Sequence, residues 1–400
     1  MRRKSFLLVM VVALLQAISL AQSSGNDDAR KKAFQLFNDG KHIEALPLLE
    51  ELAVKSPDDR EVLAALGISL VTDARTHDDE DTQKKELVRA RELLLKAKSL
   101  GLKSERVDNV LQTMPVDGVV RYAETPAGQA MKAGEAAFAR RDFDEAIKDY
   151  SKVLDYEPKN YSAVLFIGDT YFAANNWAKA GEWYQKAIEV DPNRETAHRY
   201  YADMLLKNGD VENSRKRFIQ AVVAEPYNPI TWRGLQYWAR INKVELKRVH
   251  IDVPNSVTKK DEKHINITID PSWPEDVSST WLMYSIAKAN WQGDEFKKHF
   301  PEEKQYRHSL AEEADCLGLA ATVWTETSDS DKKKKKASSP PQDPNLILLL
   351  KLHQAKMLEP YVLLNAADQG IARDYESYRA KNRDKLEQYL SEFVVPQVGK

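Results

Sequence analysis

Apolar, small and proline positions recur through the middle of the chain with one spacing. Pro158, Pro192 and Pro226 stand 34 residues apart, and similar residues reappear at matching positions between them. Self-similarity at a fixed period of this length is typical of repeat architectures. Because proline cannot continue a helix but suits the start of the next one, each proline marks a boundary. The pattern predicts consecutive repeats of two helices each.

Aligning the repeats on their prolines brings small and aromatic residues into register. The first helices share a small slot, filled by Gly134, Gly168 and Ala202. The second helices share three slots. The small slot is filled by Ala146, Ala180 and Ser214, and the aromatic slot by Tyr150, Tyr184 and Phe218. The apolar slot near the end of the helix is filled by Val153, Ala187 and Ala221. Neighbouring helices approach closely only where side chains are small, with rings filling the space beside them. This arrangement resembles the tetratricopeptide repeat (TPR).

The resemblance implies a mainly α fold, a TPR-type α-solenoid of helix–turn–helix repeats, to which the sequence adds a short β-hairpin and a C-terminal helical module. The predicted organisation by residue range is a signal peptide at 1–21, a divergent N-terminal TPR pair with an acidic insertion at 27–101, the TPR array at 127–242, a β-ribbon at 243–271, the helical module at 272–326 and 345–394, and a disordered linker at 327–344.

Outside the array, the sequence has patterns of other kinds. Alternating apolar residues from Val244 to Val253 and from Ile265 to Ile269 predict two strands around a polar loop at 254–263. Apolar spacing then predicts helices at 302–325, 345–367 and 371–394, with a helix stop at Gly293. Serines, aspartates, prolines and five consecutive lysines between 327 and 344 are typical of a flexible linker.

Composition narrows the functional classes. The 400 residues carry a formal net charge of −2 without a clustered basic excess, so the sequence predicts no nucleic-acid partner. Cys316 is the single cysteine, which excludes an intramolecular disulfide and cysteine-rich zinc sites. Phosphate-cradling glycine loops and common hydrolase motifs do not occur in the sequence. We therefore predict no cofactor, no metal and no enzymatic activity.

The N-terminus has the three regions of a secretory signal peptide. Arg2, Arg3 and Lys4 precede an apolar run, and Ser19-Leu20-Ala21 supplies a small-x-small cleavage pattern. Removing these three cations takes the formal charge from −2 to −5. An uncleaved anchor is the alternative, but Gln16 interrupts the short run. We interpret the leader as bacterial and expect a mature protein that is periplasmic or secreted, without a transmembrane segment.

The TPR resemblance also implies a protein or peptide partner, bound along the concave groove formed by the first helices. In the 34-residue register, twelve residues are predicted to line that groove: Met131, Leu165, Arg199 and Arg233; Glu135, Asp169, Asp203 and Tyr237; Phe138, Phe172, Leu206 and Arg240. Met131 and Glu135 replace the lysine and asparagine with which chaperone-binding members clamp a peptide carboxylate, which argues against that function. Alternatively, Arg199 and Asp203 pair with each other across one helical turn.

One sequence cluster supports a different function. His308, Glu312 and Cys316 would share one face of a helix, with His299 nearby, and all offer metal-ligating atoms. The alternative is an amphipathic helix that buries Cys316 as a small apolar residue. The sequence therefore favours an exported, non-catalytic TPR scaffold, and the second hypothesis is a secreted enzyme whose C-terminal module carries an unrecognised site.

Overall fold

The computed structural model describes residues 27–398, except 78, 254–255, 260–264, 269–274 and 334–342. The described chain is mainly α-helical and contains TPR-type helix–turn–helix repeats, which confirms the predicted fold class. It forms two compact units, Met1–Val190 and Asp191–Lys400, so the division falls inside the predicted array. The predicted leader at 1–21 lies outside the described residues. Within the described part, helices long and apolar enough to cross a bilayer are absent.

The first unit consists of successive helices, most of them packed against the next helix in the chain. These helices are α1 (27–38), α2 (His42–Lys55), α3 (Arg60–Ala74), α4 (Glu80–Ser99), α5 (Glu105–Thr113), α6 (Pro126–Ala139), α7 (Phe143–Tyr156), α8 (Tyr161–Ala173) and α9 (Trp177–Val190). Asp and Asn side chains cap many of them; Asn160, for example, accepts a hydrogen bond from the backbone N–H of Ala163 at 3.0 Å. Helices α1–α4 lie within the range 27–101 that was predicted for the N-terminal pair.

The second unit contains the last repeat helices and the C-terminal module. Its elements are α10 (Glu195–Lys207), α11 (Val211–Ala224), α12 (Pro229–Ile241), β1 (Ser256–Lys259), β2 (Ile265–Thr268), α13 (Glu275–Asn290), α14 (Phe296–His299), α15 (Leu310–Lys333), α16 (Pro344–Gln354), α17 (Leu358–Asn365), α18 (Gln369–Ala372) and α19 (Tyr375–Tyr389). One hydrophobic core joins α11 and α12 to the module, with Trp238 and Trp281 fully buried.

The turn between the two helices of a repeat has a left-handed residue with the same 34-residue period. Arg141, Asn175, Gly209 and Lys243 have φ of 63°, 59°, 81° and 54°. After α6, the N–H of Asp142 donates to the carbonyl of Ala137 and that of Arg141 to the carbonyl of Phe138, both at 2.9 Å. This is the Schellman ending of a helix. The same ending recurs after α8, α10 and α12. The turn that joins the two helices of a repeat is therefore also present after α12, which follows the last predicted repeat.

Close helix contact explains the small slot of the repeats. A Cβ on Gly134 would lie 2.6 Å from the Tyr150 ring, and one on Gly168 would lie 2.8 Å from the Tyr184 ring. Both rings are nearly fully buried. The aromatic residue of the second helix therefore packs directly on the backbone of the first, which requires a small residue there.

The hairpin confirms one predicted strand and corrects the other. β1 pairs antiparallel with β2, with Ser256 opposite Thr268 and Lys259 opposite Ile265. The first strand was predicted at Val244–Val253, which has no regular secondary structure and belongs to neither strand. Val249 and Ile251 are buried there against the helices of the second unit. The alternation therefore reflects burial of alternate side chains in a segment that does not pair as a strand.

Helix boundaries in the C-terminal module differ from the predictions. The helix predicted at 302–325 is α15, which starts at Leu310 and continues to Lys333, into the predicted linker 327–344. The rest of that linker, 334–342, lies outside the described residues. The helix predicted at 345–367 is divided into α16 and α17, because Lys356 adopts a left-handed conformation with φ of 58°. At Gly293 the chain continues through a π-helical turn at Trp291–Glu295.

Candidate functional site

The predicted groove residues of the first unit include a polar residue beside a cavity. The phenol of Tyr122 donates to Glu135 Oε2 at 3.0 Å, and Arg75 Nε lies 3.6 Å from the same oxygen. Burial and the Glu135 charge raise the pKa of Tyr122, which keeps it a neutral donor. The cavity has a volume of about 280 Å³ and is lined by Glu135, these two partners, Lys132 and apolar side chains that include Val71, Leu87 and Met114.

Other predicted residues of this unit have packing roles. Phe138 contacts Phe143 with ring centroids 6.1 Å apart, and one repeat later Phe172 contacts Trp177 at 5.2 Å. Each pair bridges a first helix to the start of the second. Leu165 is buried, and the half-buried Met131 packs against two small core clusters.

Asp169 is held by the second helix of its own repeat. The phenol of Tyr184 donates to Asp169 Oδ1 at 2.8 Å. The corresponding residues one repeat later are Asp203 and Phe218, and phenylalanine has no hydroxyl to donate. Burial, opposed by Arg199 and reinforced by Glu195, raises the pKa of Asp203 to about 6. Equivalent carboxylates in successive repeats therefore have different environments.

The basic residues of the second unit are not equivalent to one another. Arg199 was considered a partner of Asp203, but its Nε donates instead to Glu195 Oε2 at 2.8 Å, and only 14% of its side chain is exposed. Arg233 is half-buried, and Leu206 packs against the main core. Arg240 is exposed and lies over the ring of Tyr237, 5.5 Å from the centroid. Tyr237 is itself 40% exposed.

The structure does not assemble the metal cluster suggested for the C-terminal module. Because α15 begins at Leu310, His308 precedes the helix and cannot share the face of Glu312 and Cys316. Instead His308 Nε2 lies 2.8 Å from Glu313 Oε2, with Lys288 Nζ at 3.1 Å from the same nitrogen. An ammonium group in that position opposes a metal cation.

Cys316 and Glu313 are parts of the buried interior of this module. Burial raises the pKa of the Cys316 thiol, which disfavours the thiolate needed for metal binding or attack. Glu313 also accepts hydrogen bonds from Tyr284 and Lys288 at 2.9 Å. Although burial opposes ionisation, hydrogen bonds from His308 and the Lys288 charge outweigh it and lower the pKa of Glu313 to about 2. We interpret this network as structural, since its charges are paired internally.

Sequence reasoning missed Arg75, Tyr122 and Glu195, which contact predicted groove residues. Arg75 and Tyr122 lie outside the 34-residue array, so its register could not identify them. Glu195 lies four residues before Arg199 in the sequence, a spacing at which oppositely charged helical residues pair. Asp203 lies four residues after Arg199, so the sequence alone could not decide which carboxylate Arg199 pairs with.

Comparisons with known proteins agree with the repeat pattern over part of the chain. Residues 131–195 match the family described as tetratricopeptide repeat. Curated proteins yield no match to the chain. Solved structures with matches include MamA residues 41 to the end from Desulfovibrio magneticus RS-1, at 18% identity and a TM-score of 0.24, covering 51% of this chain and 96% of that one.

Two further solved structures show the same low level of similarity. TTC0263, a thermophilic TPR protein of Thermus thermophilus, is 16% identical with a TM-score of 0.29, covering 54% of this chain and 99% of that one. Pseudomonas aeruginosa pilF is 17% identical with a TM-score of 0.26, covering 55% and 86% respectively. Similarities at this level carry no information about a partner.

Proposed function

We propose that this chain is a non-catalytic scaffold built of tetratricopeptide repeats. Its helical hairpins and the family match over residues 131–195 support the proposal. It binds a protein or peptide partner on the first helices of its repeats. The observation that carries the proposal is the exposed Tyr237–Arg240 pair on α12. Tyrosine and arginine are enriched among the residues that dominate binding energy at protein interfaces.

The opposite face of α12 explains why this pair is available. Leu235 and Trp238 are fully buried in the core, and the indole of Trp238 donates to the carbonyl of Val211 at 3.1 Å. The helix is therefore held in place by one face while Tyr237 and Arg240 remain on the other. A rigid helix that presents an aromatic ring and a guanidinium suits a partner segment with a carboxylate beside an apolar side chain.

The test uses Tyr237→Ala combined with Arg240→Ala in the full mature chain. Proteins captured from the envelope fraction are identified, and the affinity of the purified partner is then measured for both chains. We expect the double variant to weaken binding at least tenfold while thermal unfolding stays nearly unchanged, because exposed pairs contribute little to folding. Lys216→Ala on the exposed face of α11 is the control. Loss of twofold or less would contradict the proposed surface.

Export forms a separate part of the proposal and rests on the leader sequence. We propose that the chain is exported and cleaved after Ala21, giving a periplasmic or secreted protein. Mass spectrometry of the mature protein should find Gln22 at the N-terminus, either free or cyclised. An intact Met1 or Arg2 on the protein recovered from its final compartment would refute cleavage.

A further inference from the structure

Three side chains converge where α3 ends and α4 begins. Asp73 lies in the last turn of α3, His77 follows that helix, and Glu86 lies in the second turn of α4. One potential ligand atom from each residue lies within 4.8 Å of the other two. All three side chains are half-buried. Imidazole nitrogen and carboxylate oxygen are the ligands that first-row divalent metals accept in proteins.

The separations fit shared coordination better than direct hydrogen bonding. His77 Nε2 lies 3.3 Å from Glu86 Oε1 and 3.5 Å from Asp73 Oδ2. Two atoms bound to one tetrahedral ion at about 2.0–2.1 Å are separated by about 3.4 Å. Within the described residues, His77 Nε2 and Glu86 Oε2 are shielded from solvent and make no hydrogen bond. Shielded polar atoms of this kind require an explanation, and an ion supplies one.

The backbone that carries these side chains is held by neighbouring residues. The hydroxyl of Thr76 donates to the carbonyl of Asp73 at 2.7 Å, which tightens the end of α3. The side-chain amide of the buried Gln83, from α4, donates to the carbonyl of His77. Asp79 caps α4 by accepting from the backbone N–H of Thr82 at 2.9 Å. The segment is thus fixed from both helices, as outer contacts fix the ligands of established metal sites.

We propose that Asp73, His77 and Glu86 bind one divalent transition-metal ion of the Zn²⁺ class. Three protein ligands leave a fourth position of a tetrahedral ion for water or an oxygen atom of a bound molecule. Ala74 and Leu87 are sequence neighbours of two of the ligands. Both line the 280 Å³ cavity that Glu135 also lines. This proposal does not depend on the proposed partner surface of α12.

The test is a binding titration of Zn²⁺ and Co²⁺ into the full mature chain, purified without a histidine tag. We expect one ion per chain and visible absorption from bound Co²⁺. His77→Ala and, separately, Glu86→Gln should each weaken binding at least tenfold and remove the Co²⁺ signal. His299→Ala is the matched control, because His299 also lies four residues from a carboxylate, with Nδ1 3.7 Å from Glu295 Oε1. Circular dichroism establishes that each variant is folded.

Three results would overturn the proposal. The first is no Zn²⁺ binding by the wild-type chain at micromolar concentrations. The second is unchanged binding in folded His77→Ala and Glu86→Gln. The third is loss of binding in His299→Ala, which would place the ion elsewhere. If the partner surface fails its own test while Zn²⁺ binds as expected, the metal site stands and only the partner surface is refuted.

Discussion

Asp203 is a carboxyl group whose pKa changes when the protein folds. The carboxyl pKa rises from an unfolded value near 3.8 to about 6, mainly because the group is buried, while Arg199 offsets part of the effect. A carboxyl group whose pKa is raised by folding holds its proton more tightly in the folded state. Stability should therefore increase as the pH falls from about 7 to about 4.

Asp203→Asn tests this titration. At 1.36 kcal/mol per pKa unit, the rise of the Asp203 pKa to about 6 lowers the free energy of unfolding at neutral pH by about 3 kcal/mol. We expect the variant to be more stable than wild type at pH 7 and to lose this part of the pH dependence, as measured by urea unfolding across that range. Asp169→Asn is the comparison and should lower stability, because a neutral amide oxygen accepts the hydrogen bond from Tyr184 less strongly than the carboxylate does. A wild-type profile in the Asp203 variant would contradict the assignment.

Phe218→Tyr should restore the missing donor. Tyr184 and Asp169 are fifteen positions apart in their repeat, as are Phe218 and Asp203, and in the first pair the hydroxyl lies 2.8 Å from the carboxylate. We expect the new hydroxyl to lower the pKa of Asp203 and to stabilise the protein by about 1 kcal/mol at pH 7. Chemical denaturation of Phe218→Tyr alone and combined with Asp203→Ala, which removes the acceptor, isolates the interaction. Equal effects of Phe218→Tyr in both backgrounds would show that the hydroxyl bonds elsewhere.

The left-handed turn positions give a second test at the scale of single residues. Asn175 and Gly209 occupy the same turn one repeat apart, with φ of 59° and 81°. Asn175→Gly should stabilise and Gly209→Ala destabilise the protein, each by about 1 kcal/mol, because only glycine adopts this conformation without a Cβ penalty. A Cβ at Gly209 meets nothing within 4 Å, so its cost would come from the backbone alone. Thermal and urea unfolding should agree in sign, and stabilisation by Gly209→Ala would refute the explanation.

At the scale of the element, the contact between the two helices of a repeat depends on glycine. Gly168→Ala would place a Cβ 2.8 Å from the ring of Tyr184 and force the helices apart, so we expect a loss of about 1–3 kcal/mol in the free energy of unfolding. Gly318→Ala in α15 is the matched control, since its Cβ would meet nothing closer than 3.9 Å. That change should stabilise by up to about 1 kcal/mol through helix propensity. Equal effects at both positions would contradict a steric role for Gly168.

The repeats were predictable because their signals are local and recur. Proline, the small slot and the aromatic slot lie within one hairpin, so three copies reinforce each other without knowledge of the tertiary structure. Val244–Val253 was misassigned for the opposite reason. Its backbone partners come from distant positions: the N–H of Ile251 donates to the Tyr361 hydroxyl at 2.9 Å, and that of Lys247 donates to the Val394 carbonyl at 2.9 Å. Alternation alone cannot distinguish such docking from strand pairing.

The candidate sites were less predictable than the fold. The register predicted Tyr237 and Arg240 as groove residues, and both are exposed. The same register could not separate them from Phe138 and Phe172, which pack at helix turns. The Asp73–His77–Glu86 cluster was missed although Asp73 and His77 are four positions apart. Glu86 approaches them only because α3 and α4 pack together. Convergence of that kind depends on tertiary packing.

At the scale of the whole molecule, residues near the C-terminus are hydrogen-bonded to α11, which belongs to the same unit. Arg215 on α11 is buried, and its guanidinium donates to the carbonyls of Ser391, Val395 and Pro396 at 3.0, 2.8 and 3.2 Å. The hydroxyl of Tyr375 donates to the carbonyl of Val223 on the same helix. The repeat helices and the module are therefore joined by buried polar contacts as well as by a shared core.

Arg215→Ala should release this end of the chain. Buried carbonyls that lose a charged donor cost about 1–3 kcal/mol each, although water entering the vacated space will offset part of that loss, so we expect net destabilisation of about 3 kcal/mol. Hydrogen exchange should accelerate at the backbone amides of α11 and of residues 386–396 and remain unchanged in α2–α9, which belong to the first unit. Lys216→Ala, the exposed neighbour, should change neither region. Uniform acceleration throughout the chain would mean that Arg215 supports global folding, and an unaffected C-terminus would mean that the shared core alone holds it.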